Sequence, residues 1–125
     1  MSNSDDNNRA YGAHLQPFSG ITTFMRRPAS RDFDAVDVAV VGVPFDSGTS
    51  FRSGARFGPR KIREMSLLIW GYHPVLDIAP AEKLKIIDYG DIEVIPVNIE
   101  ATMKNITHET NIILENDITP ITLGG

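Results

Sequence analysis

The residues best suited to chemistry lie in a glycine-rich segment, Phe45–Phe57, which directly follows a run of β-branched residues. Glycine lets the backbone approach a ligand closely, and hydroxyl groups supply neutral hydrogen bonds that orient it. Asp46 would suit a cationic substrate and Arg52 an anionic one, and the sequence leaves both open. The candidate binding residues are Asp46, Ser47, Gly48, Thr49, Ser50, Arg52 and Gly54. The equally weighted alternative is a wide turn whose glycines only permit positive φ.

Other patterns that bind ligands are absent or weak. Neither glycine motif of phosphate-binding loops follows the strand, and the chain has no cysteine. Asp88 and Asp91 lie near one strand end, where capping of a turn is favoured over metal ligation. No metal-ligand spacing relates the three histidines, which are His14, His73 and His108. The sequence therefore assigns no catalytic residue and no metal ligand within this chain.

The start of the helix after the glycine-rich segment carries three basic residues. We expect them to lie on a solvated face and to form local ion pairs, for example with Glu64. An anion site is less favoured, because cations at a helix start oppose the helix dipole. The basic residues are Arg60, Lys61 and Arg63.

Composition sets the broad class of the protein. The chain has 125 residues and a net charge of −4, which suits one globular domain and disfavours nucleic-acid or anionic-membrane partners. No apolar run is long enough to span a membrane, and the N-terminus lacks the features of a signal peptide. The expectation is a cytoplasmic protein with a disordered tail over residues 1–13.

The elements that must position the candidate residues alternate between strand and helix. Residues 14–34 are predicted to form an arm that packs on the domain, and Val36–Val43 a strand buried on both faces. A helix should begin at Pro59 and end before Gly71, and residues 72–83 should form a loop. Its apolar stripe is predicted at Ile62, Met65, Leu68 and Ile69.

The second half of the chain repeats this alternation. Leu84–Tyr89 is predicted to be a strand with Gly90 and Asp91 as its exit turn. Asn98 should cap a helix that ends at Asn116–Asp117. Ile118–Leu123 should be the third strand, although Pro120 counts against a central position. The order strand, loop, helix, strand, helix, strand predicts a parallel sheet whose strand exits share one edge.

Several of these segments resemble one family. Gly42–Ser50 and Arg52–Arg63 resemble the start of the ureohydrolases, the family of arginase, agmatinase and guanidino-acid amidinohydrolases. The likeness is greatest to the agmatinase and guanidinobutyrase branch, because Phe18–Arg26 resembles the N-terminal arm of that branch. Asp88–Asp91 and Pro120–Gly125 are similar to further family motifs.

The resemblance implies a three-layer α/β/α fold around a parallel sheet, assembled as a trimer or hexamer. Residues 35–125 would supply an incomplete N-terminal part of that domain, with its first three strands and two helices. The resemblance also implies two manganese ions, or nickel in some relatives, which activate water to attack a guanidinium carbon and release urea. The family's metal ligands and catalytic acid/base follow the position of Gly125. This chain alone is therefore expected to bind no metal and to be inactive, and it retains only the entrance loop Asp46–Gly54.

Three functions remain open from the sequence. The first is part of a metal-dependent amidinohydrolase acting on agmatine, guanidinobutyrate, free guanidine or a similar compound. The second is an inactive truncated homologue that acts through contact with other subunits. The third, a nucleotide-binding domain, is weak because the phosphate motifs are absent. We also expect the isolated chain to be unstable or to aggregate, because three strands leave an open sheet edge.

Overall fold

The structure is a computed structural model that describes residues 15–125. The predicted tail over residues 1–13 and His14 lie outside these residues. Short 3₁₀ turns occupy Phe24–Arg26 and Ala55–Phe57. The other elements are β1 (Val38–Val43), α1 (Gly58–Ser66), α2 (Pro80–Lys83), β2 (Ile86–Asp91), α3 (Ile99–Glu115) and β3 (Thr119–Gly124). The three predicted strands and the two predicted helices are all present, and α2 lies within the predicted loop 72–83.

The three strands form one parallel sheet in the order β2-β1-β3. β1 is central in the sheet, and five of its six residues are buried, which explains its run of β-branched residues. Ala39 and Val41 pack with Ile113 of α3 on one face of the sheet. On the other face, Gly42 lies against Pro59 of α1. The predicted α/β fold with helices on both faces of a parallel sheet is therefore confirmed.

Pro120 lies within β3, where it pairs with Ala39 of β1. Among residues 15–125, β3 pairs only with β1, so it is an edge strand. An edge strand tolerates proline because one of its edges forms no ladder hydrogen bonds. The prediction of a third strand here is confirmed.

The predicted exit turn at Gly90 and Asp91 is wrong, because both residues belong to β2. The pairing register with β1 shifts after Asp88, so that Tyr89 is the extra residue of a β-bulge. Gly90 has φ +86°, a conformation that glycine adopts readily and other residues rarely do. The bulge extends β2 and sets the direction of Asp91 at the end of the strand.

The first helix differs from its prediction in length and in orientation. α1 ends at Ser66, so Gly71 is not its C-cap. Its buried residues are Pro59, Arg63 and Ser66. The predicted apolar stripe is exposed, at residues Ile62, Met65, Leu68 and Ile69. Periodicity identified a helix, but the face that packs in this chain is the polar one.

The second long helix begins as predicted. The side-chain oxygen of Asn98 accepts a hydrogen bond from the amide of Ala101 at 3.0 Å, which is an N-cap. The second half of the helix packs on the core, where Ile113 is fully buried and Ile106 is partly buried, whereas Ile99 and Met103 near its start are exposed. No helix within the described part of the chain is long and apolar enough to cross a membrane.

Candidate functional site

The glycine-rich loop between β1 and α1 is organised around one carboxylate, that of Asp46. One of its oxygens accepts hydrogen bonds from the amides of Gly54 at 2.7 Å and Arg56 at 3.0 Å. The other oxygen accepts from Nε of Arg56 at 2.6 Å. Asp46 is 5% exposed, and it is the one buried member of the predicted site. These contacts close the loop on itself, and they neutralise the carboxylate within it.

The same contacts shift the acidity of Asp46. Its pKa lies below the ordinary 3.8, first because the amide of Gly54 donates to the carboxylate and then because the amide of Arg56 does so. The guanidinium of Arg56 lowers the pKa further, while burial opposes these effects. The carboxylate is therefore ionised at neutral pH. In that state it accepts hydrogen bonds from Gly54 and Arg56 and joins the two ends of the loop.

The other predicted site residues lie on the outside of this loop. Ser47 accepts a hydrogen bond from the amide of Val97 at 3.2 Å, which links the loop to the segment before α3. The guanidinium of Arg52 lies 5.6 Å from the ring centre of the exposed Phe51. The remaining predicted residues are also exposed, namely Gly48, Thr49, Ser50 and Gly54.

The loop lies directly on the end of β3. A methyl group added at Gly125 would overlap the carbonyl oxygen of Ala55. One added at Gly58 would lie 2.7 Å from the carbonyl oxygen of Gly124. Glycine is required at these positions because the two backbones touch. The expected meeting of strand exits at one edge is thus seen between the first loop and the third strand. We call this region, formed by residues 44–58, Asp91 and residues 124–125, the carboxyl edge.

A cavity of about 230 Å³ opens at the carboxyl edge. Asp46 and Ser47 line it, together with three residues that the sequence did not place in the site, Arg56, Arg60 and Asp91. Phe57 and Pro96 add apolar walls. The other predicted site residues do not line this cavity, so the assignment of the whole segment Asp46–Gly54 as an entrance wall stays a prediction.

A second arginine–aspartate cluster lies behind this cavity. Arg63 donates from Nε and Nη2 to the two carboxylate oxygens of Asp88, at 2.8 and 2.9 Å, in a bidentate pair. Its Nη1 donates to Asp91 at 2.6 Å. Arg63 is 8% exposed and Asp88 is 2% exposed. Gly42 makes the cluster sterically feasible, because a methyl group there would overlap the Asp91 carboxylate.

One expectation for the basic helix start is confirmed and two others in this region are wrong. Lys61 pairs with Glu64 at 2.8 Å on the surface, as expected. Arg63, however, is not solvated, and Asp91 bonds to it instead of capping a turn. A signal was available, since Asp88 directly follows Ile86 and Ile87 within the strand and a buried carboxylate requires a partner. Burial alone would lower the pKa of Arg63, but its hydrogen bonds to both aspartates raise it.

The same cluster holds the N-terminal arm. The amide of Phe24 donates to Asp88 at 2.7 Å, and the amide of Met25 donates to Ser66 of α1 at 2.8 Å. Met25 has φ +49°, a left-handed conformation that turns the arm between these two contacts. A second cavity, of about 610 Å³, lies between the arm, α1 and β2 and is lined by Arg60, Arg63 and Asp91 among others.

The described residues do not fit a metal pair. Within residues 15–125, no three acidic, histidine or cysteine side chains lie close enough together to hold an ion. The two aspartates that the sequence brought near each other, Asp88 and Asp91, are bonded to Arg63. Nδ1 of His73 accepts a hydrogen bond from the amide of Leu76, and His108 is exposed on α3. What the carboxyl edge offers chemically is therefore binding and orientation.

Comparison with known proteins finds similar sequences over most of this chain. A family model described as the arginase family matches residues 36–125. A guanidinobutyrase of Pseudomonas aeruginosa is 43% identical over 117 residues, which are 91% of this chain and 37% of that protein. An agmatinase of Chromobacterium violaceum is 37% identical over 92% of this chain and 36% of its own length. The chain thus spans a little over a third of the length of these relatives.

Solved structures show the same fold. A hypothetical agmatinase from Burkholderia thailandensis superposes with a TM-score of 0.80 and 39% identity over 89% of this chain and 36% of its own. A formiminoglutamase from Trypanosoma cruzi, solved with Mn²⁺, superposes with a TM-score of 0.63 and 25% identity over 77% of this chain and 34% of its own. Structures of this fold therefore include manganese-bound ones.

Proposed function

The chain belongs to the arginase family, and from that premise we propose that it is part of a metal-dependent amidinohydrolase. The protein would hydrolyse the C–N bond of a linear guanidino compound to urea and an amine. The observation that carries this proposal is the likeness to guanidinobutyrase and agmatinase sequences over nine-tenths of the chain, including the whole glycine-rich loop. Residues 35–125 would be the N-terminal part of the catalytic domain.

The share of this chain in the reaction would be to bind and orient the substrate. The loop closed by Asp46 and Arg56 presents hydroxyl groups at the carboxyl edge, where open α/β sheets bind their ligands. Two manganese ions are proposed because a relative of this fold was solved with Mn²⁺. Residues outside the described part of this chain would hold them, since Asp46, Asp88 and Asp91 near the carboxyl edge are bonded to arginine.

Urea release tests this proposal directly. The natural protein that contains this chain should be loaded with Mn²⁺ or Ni²⁺ and supplied with agmatine, 4-guanidinobutyrate and guanidine. We expect urea from at least one substrate, loss of activity on chelation and recovery when the metal is restored. The 125-residue chain by itself should release none. A metal-loaded natural protein that yields no urea from any guanidino compound would refute the proposal.

A second candidate is an inactive homologue that acts through contact with other subunits. It is favoured by apolar surface on and after α1, where Trp70 is 88% exposed and Val75 is 85% exposed. The first measurement is the intact mass of the polypeptide from its source. A mass of 13.8 kDa together with co-purification of a complete homologue would favour this candidate. A larger, active polypeptide would exclude it. Trimeric or hexameric assembly and a cytoplasmic location remain predictions in either case.

A further inference from the structure

The segment that leads from α1 into β2 presents apolar side chains to water. Trp70 is 88% exposed, Val75 is 85% exposed and Leu76 is 63% exposed. The other exposed apolar residues of this segment are Leu68, Ile69, Tyr72 and Ile78. A monomer rarely exposes a contiguous apolar patch of more than a few hundred Å², and a larger patch marks a contact surface. We call residues 68–78 the apolar loop.

Hydrogen bonds within the apolar loop fix its shape. The amide of His73 donates to the carbonyl oxygen of Ile78 at 2.7 Å. The hydroxyl of Tyr72 donates to Asp77 at 2.7 Å, and the amide of Leu76 donates to Nδ1 of His73 at 3.2 Å. Because these bonds already order the turn, a partner could bind its apolar side chains with little further loss of conformational entropy.

Further strands of a longer domain would not reach the apolar loop by extending the sheet. The loop leads into β2, whose outer edge is occupied by the arm. There the amide of Asp88 donates to the carbonyl oxygen of Pro28 at 2.8 Å, and the amide of Ser30 donates to that of Asp88 at 3.1 Å. Among residues 15–125, β3 pairs on one edge only. Added strands would therefore join beyond β3, at the end of the sheet away from β2.

The composition of the apolar loop favours a second copy of the protein as its partner. Residues 66–78 contain no lysine, arginine or glutamate, and their one aspartate, Asp77, is bonded to Tyr72. Two such loops can face each other across a twofold axis without like-charge repulsion, which a self-complementary contact requires. A nucleic acid or an anionic membrane would instead select cations, and this segment has none.

We propose that the apolar loop is an interface on which the same loop of a second copy of the protein packs. This inference rests on the proposed function, because it treats residues 35–125 as part of a larger domain. Trp70 would be the centre of the contact, since tryptophan is enriched among the residues that contribute most to binding. A twofold contact of this kind occurs in a hexamer built from two trimers, but not in a trimer alone.

The area of the apolar loop agrees with this role. Its exposed apolar side chains present an area on the order of several hundred Å², and a stable interface buries roughly 800 Å² of each partner. The loop would therefore supply the apolar centre of the interface, and neighbouring residues would complete its rim.

Cross-linking of the natural protein tests which surfaces meet. Val75→Cys places a thiol in the apolar loop, and residues 1–125 contain no cysteine of their own. A short bis-maleimide should link two chains of Val75→Cys into a covalent pair, above any background in wild type. The matched control is Val97→Cys at a valine that is 92% exposed and whose amide donates to Ser47 at the carboxyl edge. It should give no covalent pair. Absence of the pair in Val75→Cys would overturn the inference.

The mass in solution gives a second readout. Trp70→Asp should raise the dissociation constant for self-association at least about 30-fold, measured by analytical ultracentrifugation, whereas Val97→Asp should leave it unchanged. An unchanged constant in Trp70→Asp would also overturn the inference. If Trp70→Asp failed to fold, the cross-link would decide. Urea release without a covalent pair would remove this inference alone, and a covalent pair without urea from any guanidino compound would remove the proposed function alone.

Discussion

The loop and the interior of this protein each contain an arginine–aspartate contact. The two contacts differ in how far apart their partners lie in the sequence and in how deeply they are buried. Asp46 and Arg56 are ten residues apart, and the side chain of Arg56 is 40% exposed. Arg63 and Asp88 are 25 residues apart, and their side chains are 10% and 3% exposed. The first contact closes one loop, whereas the second connects the N-terminal arm, α1 and β2.

This difference decides what each contact can do. A partly exposed pair is screened by water, so it contributes mainly to the shape of the loop that it closes. A buried pair costs free energy to desolvate, and it becomes strongly destabilising when one partner is removed. The carboxyl edge of this chain therefore depends on a local contact, and its framework depends on a long-range one.

Removing Arg63 should have the largest effect on stability. Arg63→Ala leaves Asp88 buried without its bidentate partner, and we expect it to lower the free energy of unfolding by about 3–5 kcal/mol. Urea denaturation of the natural protein measures this loss. Arg63→Lys should rescue little, because the single nitrogen of an ammonium cannot reproduce the planar guanidinium that binds both oxygens of Asp88 and also reaches Asp91.

Lys61→Ala is the control for this prediction, since it breaks a pair on the same helix whose partners are both exposed. Its cost should stay below about 1 kcal/mol. If Arg63→Ala were as mild as Lys61→Ala, the long-range cluster would have no special role in the framework, and the contrast with the loop would disappear.

Gly42→Ala should have the next largest effect. The added methyl group would overlap the Asp91 carboxylate and lie 3.1 Å from Cβ of Pro59, so it should cost about 1–3 kcal/mol through overpacking. Gly48→Ala, which has open space around it, is the control. Combining Gly42→Ala with Asp91→Ala should reduce the penalty of the glycine substitution, because the overlapping carboxylate is gone. Strict additivity in this double-variant cycle would show that the overlap is relieved elsewhere.

The same contrast explains which parts of the structure could be read from the sequence. The strands and α3 were predictable because their signals are local, namely a β-branched run for β1 and an asparagine cap at Asn98. The position of Asp46 in a glycine-rich loop after a strand also follows from nearby residues. Its commitment to the amides of Gly54 and Arg56 does not, because it depends on how the loop closes.

The long-range cluster could not be predicted in the same way. The sequence predicts Arg63 in solvent, because basic residues of an amphipathic helix usually lie on its solvated face. Its burial depends on three other segments, since the bulge in β2 directs Asp91, Gly42 leaves room for it and the arm covers Asp88. A sequence pattern describes one element at a time. It therefore predicts that the apolar face of α1 is buried, whereas in the structure that face is exposed.

The smallest expected effect is confined to the loop and depends on pH. The pKa of Asp46 is lowered on folding. Its carboxylate therefore stabilises the loop at pH values above the ordinary pKa of 3.8, and this contribution is lost as the pH falls through the lowered pKa.

Asp46→Asn removes the charge at every pH. Hydrogen exchange of the peptide that contains Gly54 and Arg56 should therefore be faster in the variant than in wild type at neutral pH. After correction for intrinsic exchange rates, the difference should close as the pH falls through the lowered pKa of Asp46, because the wild-type carboxylate is then protonated as well. Glu115→Gln, an exposed carboxylate that forms no hydrogen bond or ion pair with any residue from 15 to 125, is the control. A difference that persisted unchanged in acid would mean that the shape of the Asp46 side chain, and not its charge, closes the loop.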